Sequence, residues 1–166
     1  MTHIGIDLSS FRLDYAWLDD RQHPVVVTQK LGNPRMKIQD RLREIDFLEA
    51  TREIWATKRE HSSVIIEKPM GRISIVSPLM AVVGAITAGI PKEVPVHWVG
   101  VSQLRSAIGA KNSKLDAYRA ISDLTELDYS DWDEHEKDAL VAAIGGALLI
   151  EQGVIQSKKT PKRKRT

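Results

Sequence analysis

Apolar and polar positions alternate along the chain in a way that sets short strands first and strand–helix pairs after them. His3–Leu8 is an apolar run that suits a buried strand. Arg12–Leu18 alternates more loosely, with Leu13, Tyr15 and Trp17 on one face. Pro24–Leu31 carries the β-branched run Val25-Val26-Val27-Thr28. Ser9-Ser10 and Asp19-Asp20-Arg21-Gln22 are short polar links that suit hairpins, and Gly32-Asn33-Pro34 is a stop. The front of the chain therefore reads as a three-stranded meander. A long helix is expected over about 36–60, where Ile38, Leu42, Ile45, Leu48 and Trp55 keep helical spacing. Ser63–Glu67 reads as a buried strand ended by Pro69 and Gly71, Pro78–Ala88 as a buried helix, and Val94–Val99 as a fifth strand. Ser102 is expected to cap a short helix to about Ile108, and Ser113 the next, to about Leu124. A last helix is expected from about Asp133 to Gln152.

The order β-β-β-α-β-α-β-α-α-α predicts an α/β fold, a mixed five-stranded sheet with helices on both faces. At 166 residues this is one domain, expected over 1–153, with a basic disordered tail over 154–166. The chain is 42% hydrophobic, enough for a sizeable core. It has no run of about 18 uncharged apolar residues, so no membrane helix is expected. Met1 leads into a strand pattern rather than a secretory signal, and a cytoplasmic location is the expectation. There is no cysteine, which excludes disulfides, thiolate metal sites and a Cys nucleophile. Any metal must be held by Asp, Glu, His or water.

The net charge of +2 conceals an asymmetry. Residues 158–166 hold six of the 24 Lys and Arg residues and no acid, which leaves 18 basic against 22 acidic residues in the remainder. A mildly acidic body with a cationic arm points to a polyanion partner. A solubilising tail and a nuclear-import signal fit the same composition.

Three acids sit where buried elements begin or end. Asp7 closes His3-Ile4-Gly5-Ile6, Glu67 closes Val64-Ile65-Ile66, and Asp138 opens a run rich in alanine and glycine. Taken alone, Asp7 before Ser9-Ser10 is as easily a turn residue. Glu67 is harder to dismiss, because glutamate is almost never fully buried unpaired. Around Asp138, the residues Ala139, Ala142, Ala143, Gly145, Gly146 and Ala147 allow a helix to approach a sheet closely. His135 lies three residues before Asp138 on the same helix face, and Glu134 lies four before it as a competing ligand. Such a set suits hard divalent ions, and two of them about 3.5–4 Å apart can hydrolyse a phosphodiester with water as nucleophile.

In these residues the chain resembles the RuvC-type Holliday junction resolvases, within the RNase H-like nucleases. The resemblance spans about 3–150. It is carried by Ile4-Gly5-Ile6-Asp7, Arg41-Leu42-Arg43-Glu44-Ile45, Ile65-Ile66-Glu67, Gly84-Ala85-Ile86 with Pro95-Val96, Gln103-Leu104-Arg105 through Gly109-Ala110-Lys111 and Lys114, and His135-Glu136-Lys137-Asp138-Ala139-Leu140-Val141-Ala142. It implies an RNase H-like sheet and a catalytic and metal-binding set of Asp7, Glu67, His135 and Asp138. It also implies Mg²⁺ or Mn²⁺, two per site, and a homodimer that makes paired nicks across a four-way junction. A bacterial cell, or one infected by a bacteriophage, is the setting it implies. DNA contacts are expected from Met70, Arg72, Arg105, Lys111 and Lys114, and from the tail residues Lys158, Lys159, Lys162, Arg163, Lys164 and Arg165.

The sequence departs from the family at two places. Leu8-Ser9-Ser10 follows Asp7 where Pro-Gly is common, and Lys68-Pro69-Met70-Gly71-Arg72 lacks the aromatic that wedges a junction open, with Met70 in its stead. A broader branched-DNA nuclease is consistent with both. Two rivals remain: RNase H-type cleavage of RNA–DNA hybrids, and a non-catalytic junction-binding or packaging protein.

Overall fold

The computed structural model describes residues 2–9, 11–33, 35–37, 40, 62–69, 73–111 and 113–156. The helix expected over 36–60 lies almost wholly outside them, as do Met70, Arg72 and residues 157–166 of the expected tail. β1 (Thr2–Leu8), β2 (Arg12–Leu18) and β3 (Pro24–Lys30) form the expected meander. β4 (Ser62–Glu67) follows, then α1 (Ile73–Gly89), β5 (Val96–Val99), α2 (Val101–Ala107), α3 (Lys114–Thr125) and α4 (Glu134–Glu151). The sheet order is β3-β2-β1-β4-β5, antiparallel through the meander and parallel from β1 to β4 and β5. This is the mixed five-stranded sheet that the pattern predicts.

The period-two alternation of the central strands divides their side chains between two cores. Ile4, Ile6, Leu13, Tyr15, Val64 and Ile66 face α1, whose Val82 and Ile86 complete that layer. Ala16, Ile65 and Val99 face the other way, against Leu104 of α2, Ala117 and Ile121 of α3 and the Ala139–Ile144 stretch of α4. Each fully buried Ile or Leu stabilises the fold by about 1.5–3 kcal/mol, so both layers are needed to hold one sheet. Ile155 packs against the second layer, past the end of α4.

Three boundaries differ from expectation. α1 begins at Ile73 and carries Pro78 within it, although proline usually marks a helix start. β5 is shorter, because Pro95 has no N–H and the Val94 N–H turns back to the Pro91 carbonyl at 2.9 Å. Ser102 does not cap α2. Gly100 does, with its N–H donating to Gln103 Oε1 at 3.3 Å, and Ser102 lies inside the helix. Ser113 caps α3 as expected, accepting from the Asp116 N–H at 3.0 Å. Among the described residues no helix is long and apolar enough to cross a membrane.

Candidate active site

The sheet changes winding direction between β1 and β4. The chain leaves β1 toward β2 on one side and returns at β4 on the other. In open α/β sheets such a switch opens a crevice beyond the carboxyl ends of the strands. Asp7 and Glu67 stand at those two ends. Ile6 pairs with Ile66, so the two acids occupy the next rung on the same face, and Asp7 lies directly opposite Asp14 on β2.

α4 closes over this row because glycine lets it. A Cβ on Gly5 would fall 2.0 Å from the Ala139 carbonyl oxygen and 2.3 Å from the Ala143 nitrogen. One on Gly146 would fall 2.2 Å from Ile65 Cγ1. The helix start is fixed by a capping box: Asp133 Oδ1 accepts from the His135 and Glu136 N–H groups at 2.9 and 3.1 Å, and Glu136 Oε2 accepts from the Asp133 N–H at 2.9 Å. His135 and Asp138 thereby come down on the acids. His135 Nδ1 lies 2.6 Å from Asp7 Oδ2. Asp138 accepts from Lys114 Nζ at 2.6 Å and from the Tyr118 hydroxyl at 3.0 Å.

The electrostatics are those of crowded carboxylates. Burial, followed by the charges of Asp138 and Asp7, pushes the Glu67 carboxyl up to about 7. Burial also raises Asp7, opposed by the His135 hydrogen bond and helped by the charge of Asp138. Burial and the Asp138 charge together push the Tyr118 hydroxyl far above its usual value. Burial opposes the charge of Lys114, but its hydrogen bonds and ion pairs with Asp138 and Glu134 outweigh this and raise its pKa. Arg105, half-buried on α2, and Lys114 both act to stabilise the Glu67 anion.

The four expected residues are thus brought to one end of the sheet, though not into one tight group. Of the described residues, Asp7, Asp14 and His135 have ligand atoms within 4.8 Å of one another, and Glu67 and Asp138 are not in that group. Glu134 is 73% exposed and turns to Lys114, so the imidazole rather than Glu134 faces Asp7. Lys114 is the first residue of α3 and reaches into the site; Lys111 is exposed three residues before it. Asp14 is the residue that sequence reasoning missed. Its signal was a single acid inside an apolar strand, two residues after Arg12 and so on the same face.

No protein-family model matches the sequence, and no curated protein matches it. Solved structures do. Over 92% of this chain and 97% of the other, Thermus thermophilus RuvC in complex with a Holliday junction substrate superposes with a TM-score of 0.74 at 17% sequence identity. A second Thermus thermophilus RuvC structure superposes over the same shares with a TM-score of 0.72 at 18% identity. The chain has the RNase H-like fold of RuvC. In the first of these structures the same fold is seen in complex with a Holliday junction substrate.

Proposed function

We propose that this protein is a metal-dependent endonuclease of branched DNA, four-way junctions foremost, that makes paired nicks with water as nucleophile. The observation that carries the proposal is the placing of Asp7 and Glu67 at neighbouring strand ends beneath His135 and Asp138 of α4, where burial first and then the charges of Asp138 and Asp7 push the Glu67 carboxyl up to about 7. Arg105 and Lys114 offset only part of this negative charge, since the Glu67 carboxyl stays raised. The donor set is hard oxygen with one imidazole, which fits Mg²⁺ or Mn²⁺. Asp7, Glu67, Asp138 and His135 would hold a pair of such ions, which supply charge stabilisation and water activation for phosphodiester hydrolysis.

The remaining steps belong to the chain itself. His135 orients the Asp7 carboxylate through its 2.6 Å contact. Lys114 and Tyr118 hold Asp138 in place. Lys114 stands at Asp138, and Lys111 is exposed three residues before it, so both are offered to phosphates of the DNA. The homodimer reading draws on α1, whose outer face exposes Met80, Ala81, Gly84 and Ala88 opposite its buried Val82 and Ile86.

The test is Glu67→Gln assayed for metal-dependent nicking of a four-way junction, of linear duplex and of an RNA–DNA hybrid. The substitution keeps the shape and removes the charge. Loss of about 4 kcal/mol of transition-state stabilisation lowers the rate about a thousandfold, with junction binding retained. Near-normal nicking by folded Glu67→Gln refutes the assignment, and parent activity on the hybrid but not the junction moves it to an RNase H-type enzyme.

A further inference from the structure

We infer that Arg12 is a positioning residue that withholds Asp14 from the metal-ligand set; the inference rests on the metal-dependent reading above. Distance alone would enlist Asp14. It faces Asp7 across the β1–β2 ladder, and its carboxylate shares the 4.8 Å group with Asp7 and His135. Its bonding removes it. Arg12 Nε donates to Oδ2 and Nη2 to Oδ1, each at 2.7 Å, the planar two-point match of guanidinium to carboxylate. The Thr28 hydroxyl donates to Oδ1 as well. The Asp14 side chain is 1% exposed, so solvent has no route to a remaining lone pair.

The guanidinium is gripped from its far side too. Nη1 donates to Asp133 Oδ2 at the α4 N-cap, and Nη2 lies 4.0 Å from Glu136 Oε1. Two acids of the helix start therefore hold the plane of the fork against Asp14. A lysine cannot reproduce this, because an ammonium is a point charge without the paired donors. Asp138 differs in kind. One of its two donors is Lys114, whose side chain is 48% exposed against 1% for Asp14, so water reaches this ion pair and Asp138 can exchange an ammonium for a metal ion.

The arrangement has a consequence for substrate. Three carboxylates leave a pair of divalent ions with one positive charge in excess, which an incoming phosphodiester neutralises. A fourth carboxylate would fill that place. Arg12 keeps Asp14 occupied, and the site keeps its affinity for the phosphate.

The experiment measures Mn²⁺ binding to the full chain by calorimetry, without DNA and with thermal melts alongside. The proteins are the parent, Arg12→Gln, Arg12→Lys, Asp14→Asn, and Arg12→Gln combined with Asp14→Asn. Arg12→Gln frees a carboxylate beside Asp7 and should bind Mn²⁺ about tenfold tighter or more. Arg12→Lys keeps the charge but cannot close both oxygens, so it should bind about threefold tighter or more. The double variant should return to within about threefold of the parent, and Asp14→Asn alone should weaken binding by no more than about fivefold. Tightening in Arg12→Gln but not in Arg12→Lys is a field effect only and overturns the inference. So does a loss of about a hundredfold in Asp14→Asn, which would make Asp14 a ligand. Equal weakening in Arg12→Gln and the double variant marks Arg12 as merely structural and also overturns it. If Arg12→Gln does not fold, Arg12→Lys decides. A parent that binds no Mn²⁺ fails the metal-dependent reading itself, and that result is separate from all the others.

Discussion

Glu67→Gln should stabilise the metal-free protein while abolishing its chemistry. The Glu67 carboxyl is pushed up to about 7 from an ordinary 4.5, by burial first and then by the charges of Asp138 and Asp7. The folded state therefore holds the proton more tightly than the unfolded chain does. That preference contributes stability that is fully present below about pH 4.5 and is lost as pH rises through about 7. At about 1.4 kcal/mol per tenfold in proton affinity, the full difference is about 3 kcal/mol. The side chain is only partly buried, so screening by water reduces this to about 1–2 kcal/mol. Glutamine has the same shape and no charge to desolvate. At pH 8 without metal, Glu67→Gln should melt about 2–8 °C above the parent, at about 2–4 °C per kcal/mol for a chain of this size. At pH 4.5 the two should nearly coincide. Saturating Mn²⁺ at pH 8 should reverse the order, because ligand at a hundred times its Kd adds about 2.7 kcal/mol to the parent and little to the variant. Calorimetric or circular-dichroism melts at both pH values, with and without metal, read this directly. A Glu67→Gln protein less stable than the parent at pH 8 without metal, or a gap of equal size at both pH values, would refute the reasoning.

Gly5→Ala should cost about 3 kcal/mol or more in urea unfolding, since its Cβ would strike the α4 backbone 2.0 Å away and no flexible side chain can yield; an unchanged midpoint would show that α4 does not sit this close. His135→Ala should weaken Mn²⁺ binding about 10–100-fold by releasing Asp7, whereas Glu134→Gln should leave calorimetric binding close to the parent's. Deleting residues 158–166 should flatten the dependence of log K on log salt and weaken duplex and junction binding alike, each lost phosphate contact changing the slope by about 0.9. Lys111→Ala with Lys114→Ala should instead lose more junction than duplex binding, and it should also alter metal affinity, because Lys114 is bonded to Asp138. Titrations at several salt concentrations separate the two, and junction preference that survives the double variant but not the tail deletion contradicts this division.

Local chemistry makes most of the fold legible in the chain. The meander follows from alternation and polar links, and β2 runs from Arg12 to Leu18 as the pattern predicts. Ser113 and Asp133 cap α3 and α4 through short-range hydrogen bonds, which sequence neighbours alone determine. The small residues of α4 announce close packing before any partner is known. Local signals also misplace a boundary where two neighbouring residues compete for it. Pro78 lies inside α1 instead of starting it, and Gly100 instead of Ser102 caps α2. Asp7, Glu67 and Asp138 stand out in the sequence at element ends and His135 by its spacing from Asp138, but what brings them to one end of the sheet is the tertiary fold. The parallel register of β1 and β4 sets two acids on one rung, and Gly5 lets α4 descend upon them. Asp14 shows the limit most clearly. In the sequence it is one polar residue in an apolar strand. Only the antiparallel register places it opposite Asp7, and only the α4 N-cap turns Arg12 into its clamp. Register and helix docking join residues far apart in the chain, and a one-residue slip would turn every one of these side chains to the other face.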